Sequence, residues 1–347
     1  MGRRNAHRSR HWISTSVSLV VLAVTGLVGV ASVGASTNSK VIAGIVDVNV
    51  TLGYENGHAA ATGMVLTSAG EVLTNNHVIR GATAIKVRDV GNGKSYTATV
   101  VGYDVAADIA VLQLKGAAGL KAVPIGNSSS VRVGAKVTGI GNAGGTGGTP
   151  SSARGSVTAL NQTITARDEA AGTSEQLTGL IETNAPIEPG DSGGPLADAS
   201  GNVIGIDTAA SSSFQFQSGA NEGFAIPINT AMSIARQIEA GNFKGNVHRG
   251  ATAYLGVEVE NSGYYQNGAF LAGVVVVGVV PGSAAEKAGL NYGDVITSLN
   301  AKTITSPTQL VNMLLAIPPG TKVTLNWVDQ YGATHRSVVR LASGPPQ

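Results

Sequence analysis

Between residues 41 and 226, short β-branched apolar runs alternate with Gly, Asn, Ser and Pro. The runs fall at 45–50, 63–67, 72–74, 84–87, 97–103, 109–114, 135–140, 156–160, 180–183 and 203–207. Many short strands at nearly even spacing, with little 3.6-residue period between them, predict a mainly β sandwich or barrel. The stretches 161–179 and 211–223 read as loops. The first helical period comes after them: Asn229 is placed to cap a segment in which Met232, Ala235 and Ile238 share a face, and Gly241 ends it.

Residues 241–250 have no period and read as a linker between a domain at 41–240 and a second at 251–342. In the second, Ser283-Ala284-Ala285-Glu286 is a capping box opening a short helix that Gly289 closes. Ser306-Pro307-Thr308-Gln309 opens another helix, with Pro in its first turn. There Leu310, Met313, Leu314 and Ile317 fall on one stripe. Strands at 254–259, 274–280, 294–299, 322–328 and 337–341 surround these helices, giving a small α+β domain of about 90 residues.

The front of the chain has a different texture. Arg3, Arg4, Arg8 and Arg10 precede an apolar run at 17–33 that ends in Gly34, Ala35 and Ser36. That order predicts a secretory signal cleaved near Ala35, so 1–35 would be removed. Counted from Ile13, the run reaches the roughly 20 residues that span a bilayer, so an uncleaved membrane anchor at 13–35 is the alternative. Either way the body is extracytoplasmic. Loss of 1–35 takes away four arginines and no acid, turning a net charge of +2 into −2. No net positive charge then remains to attract nucleic acid. Only 13% of residues are charged and 47 are glycine, as suits a turn-rich β protein. The chain has no cysteine, which rules out disulfides, thiol catalysis and Cys-ligated zinc.

Gly190-Asp191-Ser192-Gly193-Gly194-Pro195 is the most informative stretch. A serine hydroxyl is a poor nucleophile unless a base takes its proton and an anion hole receives the carbonyl oxygen. Glycines on both sides let the backbone fold tightly enough for the Gly190 and Ser192 N–H groups to form such a hole. Thr74-Asn75-Asn76-His77-Val78 puts a histidine at a strand end, and Asp108 precedes the apolar strand 109–112. Each residue alone also fits a structural role. Together they supply a base, an orienting acid and a nucleophile.

Those three motifs, in that order, resemble the HtrA/Deg group of chymotrypsin-fold serine proteases. Leu255-Gly256-Val257, 280–290 and Gly293-Asp294-Val295-Ile296 resemble the PDZ domain that follows in that group. The short N-terminus and the 141–149 loop are most similar to its secreted PepA-type members. The resemblance implies two six-stranded barrels with the site between them, endopeptidase activity on unfolded or misfolded protein, and neither cofactor nor metal. It implies His77 as general base, Asp108 as its orienting partner, Ser192 as nucleophile, and Gly190 and Ser192 as the oxyanion hole. Asp207, Thr208, Phe224, Ala225 and Ile226 would flank the primary specificity pocket, with substrate pairing as an added strand. In the second domain Tyr254, Leu255, Gly256 and Val257, with Leu310 and Met313, would hold a peptide C-terminus. Self-association is left open.

Six residues before the nucleophile, where trypsin-like enzymes hold an acid, stands Pro186, which predicts cleavage after small or medium aliphatic residues. Two positions depart from the group: Asn184 in Thr183-Asn184-Ala185 weakens the expected support of the nucleophile loop, and Asp191 puts a carboxylate beside the oxyanion loop. A buried charge there needs a partner, and a basic or amino group is the expectation. Gly139-x-Gly141-x-x-Gly144 matches a dinucleotide fingerprint, but the glycines and Pro150 that follow cannot form the required helix. An α/β-hydrolase needs its acid and histidine after the serine, with alternating helices, and is set aside. The alternative from another class is an inactive or gated protease scaffold serving as a PDZ adaptor or chaperone.

Overall fold

The computed structural model describes residues 35–54, 57–168, 173–208, 214–216, 222–266 and 269–347. Apart from Ala35, the predicted signal or anchor lies outside them. After α1 (Ala35–Ile42) come β1 (Ile45–Leu52), β2 (Gly57–Val65), β3 (Glu71–Thr74), β4 (Ala84–Asp89), β5 (Ser95–Asp104) and β6 (Ile109–Leu114), with the short α2 (Asn76–Ile79) following β3. Their antiparallel order is β5-β4-β1-β2-β3-β6, and β5 pairs with β6, so the six strands close into a barrel. The two-residue period of β1 explains its place. Val46, Val48 and Val50 fill this barrel, while Ile45 joins Met64, Leu73, Ile109 and Val111 in a core shared with the second half.

The second half repeats the architecture with β7 (Lys136–Gly141), β8 (Ser151–Asp168), β9 (Thr173–Thr183), β10 (Pro195–Asp198), β11 (Val203–Thr208), β12 (Phe214–Phe216) and β13 (Gly223–Pro227). The order β8-β7-β10-β11-β13-β9 is closed by β8–β9 pairing, and β12 lies outside on β8. Val137, Val157, Ile181, Leu196 and Ile204 fill it. The other faces, carrying Ile140, Ile206, Phe224 and Ile226, meet the first barrel and α3 (Ile228–Glu239) in the shared core. Closure leaves neither barrel a free edge along the ladder, and each fully buried aliphatic side chain contributes about 1.5–3 kcal/mol.

Four local expectations differ from the structure. The stretch read as a loop at 211–223 carries β12 at 214–216, and 211–213 and 217–221 lie outside the described residues. The stretch read as a loop at 161–179 is, where described, a long hairpin of β8 and β9, bent by register shifts between 157 and 164. Asn229 does not cap α3, whose N-cap is Pro227; its side chain instead accepts from Ser128 N–H at 3.3 Å and donates to Asn127 Oδ1 at 2.7 Å. A neighbouring loop with matching polar groups outcompetes the helix end. Within the stretch read as a linker, β14 (Val247–Arg249) pairs with β5 on the first barrel.

The C-terminal module comprises β15 (Thr252–Tyr254), β16 (Val257–Gln266), β17 (Ala269–Val279), α4 (Ala284–Ala288), β18 (Val295–Leu299), β19 (Lys302–Thr303), α5 (Pro307–Leu315), β20 (Lys322–Val328), β21 (Thr334–Arg340) and β22 (Ala342–Gly344). The main sheet runs β16-β17-β18-β20-β21, with β16 at its edge. The helix signals act as read. Ser283 Oγ accepts from Glu286 N–H, Gly289 closes α4 at φ 94°, and Ser306 Oγ accepts from Gln309 N–H ahead of Pro307. Leu255, Val274, Ile296, Leu310, Leu325 and Trp327 form its core.

Residues 34–347 form one unit, and the module is seated on the first barrel. Leu315 packs on that barrel's core, and Tyr54 and Tyr254 stack with centroids 5.0 Å apart. Past β22, Gly81 N–H donates to Pro346 O at 2.8 Å and Asn76 Nδ2 to Gln347 O at 3.0 Å.

Candidate active site

His77 lies on the α2 turn, one turn long, directly after β3. Asp108 stands at the head of β6 with φ 54°, a left-handed conformation that an acidic side chain tolerates better than most. This backbone aims the carboxylate at the turn. Asp108 Oδ1 accepts from His77 N–H at 2.9 Å, Oδ2 meets His77 Nδ1 at 2.8 Å, and Thr208 Oγ1 donates to Oδ2 at 3.3 Å. Asn75 Nδ2 adds a bond to Asp108 O at 3.0 Å. Asp108 is fully buried. A carboxylate opposite Nδ1 requires the proton there and leaves Nε2 as the basic nitrogen.

Ser192 is buried in a loop that two glycines make possible. Gly190 has φ 100° and Gly193 φ 84°; a Cβ on Gly193 would fall 2.1 Å from Thr62 O and 2.3 Å from Thr74 Oγ1. Thr62, from the first barrel, grips this loop. Its N–H donates to Ser192 O at 2.9 Å and its Oγ1 to Gly190 O at 2.7 Å, while it accepts from Asn142 N–H and Thr74 Oγ1. On the other side Gly193 N–H donates to Asp207 O at 2.9 Å, and Asp207 N–H to Gly194 O at 2.8 Å. The loop of Ser192 is therefore bonded to both segments that position the His77–Asp108 pair. One route is Thr62 to Thr74, three residues before His77; the other is Asp207 to Thr208, which donates to Asp108.

Comparison with known proteins matches two stretches of the chain. Residues 61–206 match the family described as Trypsin-like peptidase domain, and 253–328 match the PDZ domain. The chain carries a trypsin-like peptidase domain followed by a PDZ domain. It is 33% identical over 319 residues to "Serine protease PepD" of Mycobacterium tuberculosis, covering 87% of this chain and 64% of that one. It is 36% identical over 276 residues to "Periplasmic serine endoprotease DegP" of Escherichia coli, with coverage of 77% and 54%. The chain spans between about half and two thirds of the length of such relatives. Among solved structures it is similar to "HtrA-type protease AlgW with tripeptide", with TM-score 0.51 and 28% identity over 90% of this chain and 98% of the other.

Among the described residues, neither departure is paired with a cation. Asp191 does not pair with a basic or amino group: Ser151 Oγ donates to Oδ1 at 2.9 Å and Glu188 N–H to Oδ2 at 3.0 Å. Burial pushes its carboxyl above the usual range, and these two neutral donors offset part of that. Both come from segments already adjacent to the loop, so a distant cation is not needed. Asn184 has its own role. Its Oδ1 accepts from Ser156 N–H at 2.8 Å, and Thr183 Oγ1 donates to Ser156 O at 2.9 Å, tying this segment to β8.

The residues read as pocket walls stand on paired strands, with Asp207 opposite Ala225 and Thr208 opposite Phe224. The side chains of Asp207, Thr208, Phe224, Ala225 and Ile226 are all buried, so these strands contribute backbone and a packed floor. In the PDZ domain, Leu255 and Leu310 are core residues, whereas Tyr254, Val257 and Met313 are half-buried. Gly256, at φ 82°, packs so closely on Ser283 that a Cβ would fall 2.2 Å from its Cβ. Tyr254, Val257, Val259 and Val311 line a cavity of about 200 Å³ together with His77 and Arg80. Thr62 and Ser151 were not legible as site residues in the sequence: each is an ordinary polar residue in a strand, without a motif around it.

Proposed function

We propose that this chain is a serine endopeptidase acting on unfolded or misfolded polypeptides outside the cytoplasm. The observation that carries it is the grip of Asp108 on both the backbone N–H and Nδ1 of His77, with the Ser192 loop bonded to the same two segments. In this reading Ser192 Oγ attacks the scissile carbonyl carbon while its proton passes to His77 Nε2. The carbonyl electron pair moves onto oxygen, where the Gly190 and Ser192 N–H groups receive it. The C–N bond breaks as His77 returns the proton to the amine, and water then releases the acyl group by the same steps. Substrate lies as a strand beside the β11–β13 wall, with a small or medium aliphatic residue in the pocket, since Pro186 brings no acid there.

The PDZ domain takes peptide C-termini: the Leu255 and Gly256 N–H groups receive the carboxylate, β16 pairs with the peptide, and Met313 faces its last side chain. The arginines and apolar run of 1–35 support export, as do relatives named periplasmic. The adaptor alternative is not favoured, because an inert scaffold has no use for a buried carboxylate aligned on an imidazole. The test is cleavage of casein by the full chain beside Ser192→Ala. Equal cleavage by both, or none by either at any pH with the PDZ domain loaded by an apolar peptide, overturns the proposal.

A further inference from the structure

Asp207 is fully buried, and neither oxygen of its carboxyl has a hydrogen-bond partner among the described residues. The Ile140 N–H lies beside it without hydrogen-bond geometry. Of the elements around it, β7 brings Gly139 and Ile140, β13 brings Ala225, and the segment before the nucleophile loop brings Ile187. None of these titrates. The charged group that faces it is another carboxyl, Asp191. Glu188, on the same loop, is exposed and acts on Asp191. A carboxylate with no cation and a like charge nearby is costly in such a place, and the acid form is much less so.

The backbone of the same residue is bonded both ways to the nucleophile loop, through Gly193 N–H and Gly194 O, and the next residue donates to Asp108. Any shift of Asp207 toward water therefore moves the Ser192 loop and the Thr208 donor together. We propose that Asp207 is a positioning residue working as a neutral carboxylic acid: protonated, it keeps the Ser192 loop in register, and on ionising it releases that loop and sets the alkaline limit of the peptidase. This rests on the reading of Ser192, His77 and Asp108 given above.

The direction follows from linkage. Burial first, and then the Asp191 charge, push the Asp207 carboxyl well above the ordinary carboxylate range. For an acid raised in the folded state, the stability it contributes is complete below the ordinary carboxylate range and is lost as pH rises through the raised value. The loss is on the alkaline side. Asparagine has the shape of the neutral acid and cannot ionise.

The experiment measures fluorophosphonate labelling of Ser192 in the full chain from neutral to alkaline pH, each rate divided by that variant's neutral rate. We expect the wild-type ratio to fall while Asp207→Asn holds it, with the alkaline midpoint moved up by about one pH unit or more. An unchanged alkaline fall in Asp207→Asn overturns the proposal. Infrared spectra of the wild type cover the case in which that variant does not fold. A protonated-carboxyl stretch should persist at neutral pH, survive Asp191→Asn, and vanish where labelling falls; its absence at neutral pH overturns the proposal. A wild type that is never labelled, with the stretch present, sinks the triad reading and the alkaline limit with it, while Asp207 still counts as a neutral acid.

Discussion

Arg80, three residues after His77, is ion-paired through Nη2 to Glu175 Oε1 on the hairpin of the second barrel. The side chains are 11% and 10% exposed, so the pair is largely cut off from water. Burial raises the Glu175 carboxyl, and the Arg80 charge offsets part of that rise. The turn that presents the imidazole is thus tied to a strand of the opposite barrel.

Removing one partner strands the other. Arg80→Met or Glu175→Met alone should cost about 3 kcal/mol, and the double variant clearly less than the sum, because no charge is then left unpaired. Chemical denaturation of the four proteins in a Ser192→Ala background measures this, and additive losses would show that the pair is not coupled.

Asp108→Asn keeps the shape of the acid but offers Nδ1 the wrong partner chemistry. A drop in kcat of about 10⁴-fold with little loss of stability is expected, the size seen for the equivalent change in the trypsin-type triad. Progress curves on a chromogenic peptide, with a thermal melt alongside, decide it.

Gly193→Ala places a methyl group against Thr62 O and Thr74 Oγ1 at a left-handed backbone. It should abolish labelling and lower the melting temperature. Gly134→Ala is the control: φ is 86° there too, but no atom lies within 4 Å, so only the conformational cost of about 1–2 kcal/mol is expected.

Ser151→Ala removes a donor from the buried Asp191 carboxyl and should destabilise the chain by about 1–3 kcal/mol. Asp191→Asn can accept from Glu188 N–H and turn its Nδ2 to Ser151, so labelling at neutral pH should fall by less than about tenfold. Loss of all labelling in Asp191→Asn would point back to a missing cation.

What the sequence could disclose was whatever is encoded in neighbours along the chain. Gly190 and Gly193 announce a tight loop, His77 ends a strand, Asp108 precedes one, and Ser283 and Ser306 stand where helix caps belong. The rest comes from contacts between distant residues. Thr62 reaches Gly190 across 128 positions and Arg80 reaches Glu175 across 95, and no local pattern encodes either. Asn229 and Asp191 misled for the same reason, since their partners, Asn127 and Ser151, come close only after the barrels close. The long hairpin was hidden because its buried positions, Ile164, Ala166, Leu177 and Leu180, are sparse among polar residues and register shifts break the two-residue period.

Thr62 bonds across the seam between the barrels through both its N–H and its Oγ1, and both donate to the loop of Ser192. The two halves of the molecule cannot hinge apart there without letting go of the nucleophile. On the proposed function, an incoming chain would be admitted by surface loops and by the appended domain beside His77, at the rim, while the joint beneath stays fixed.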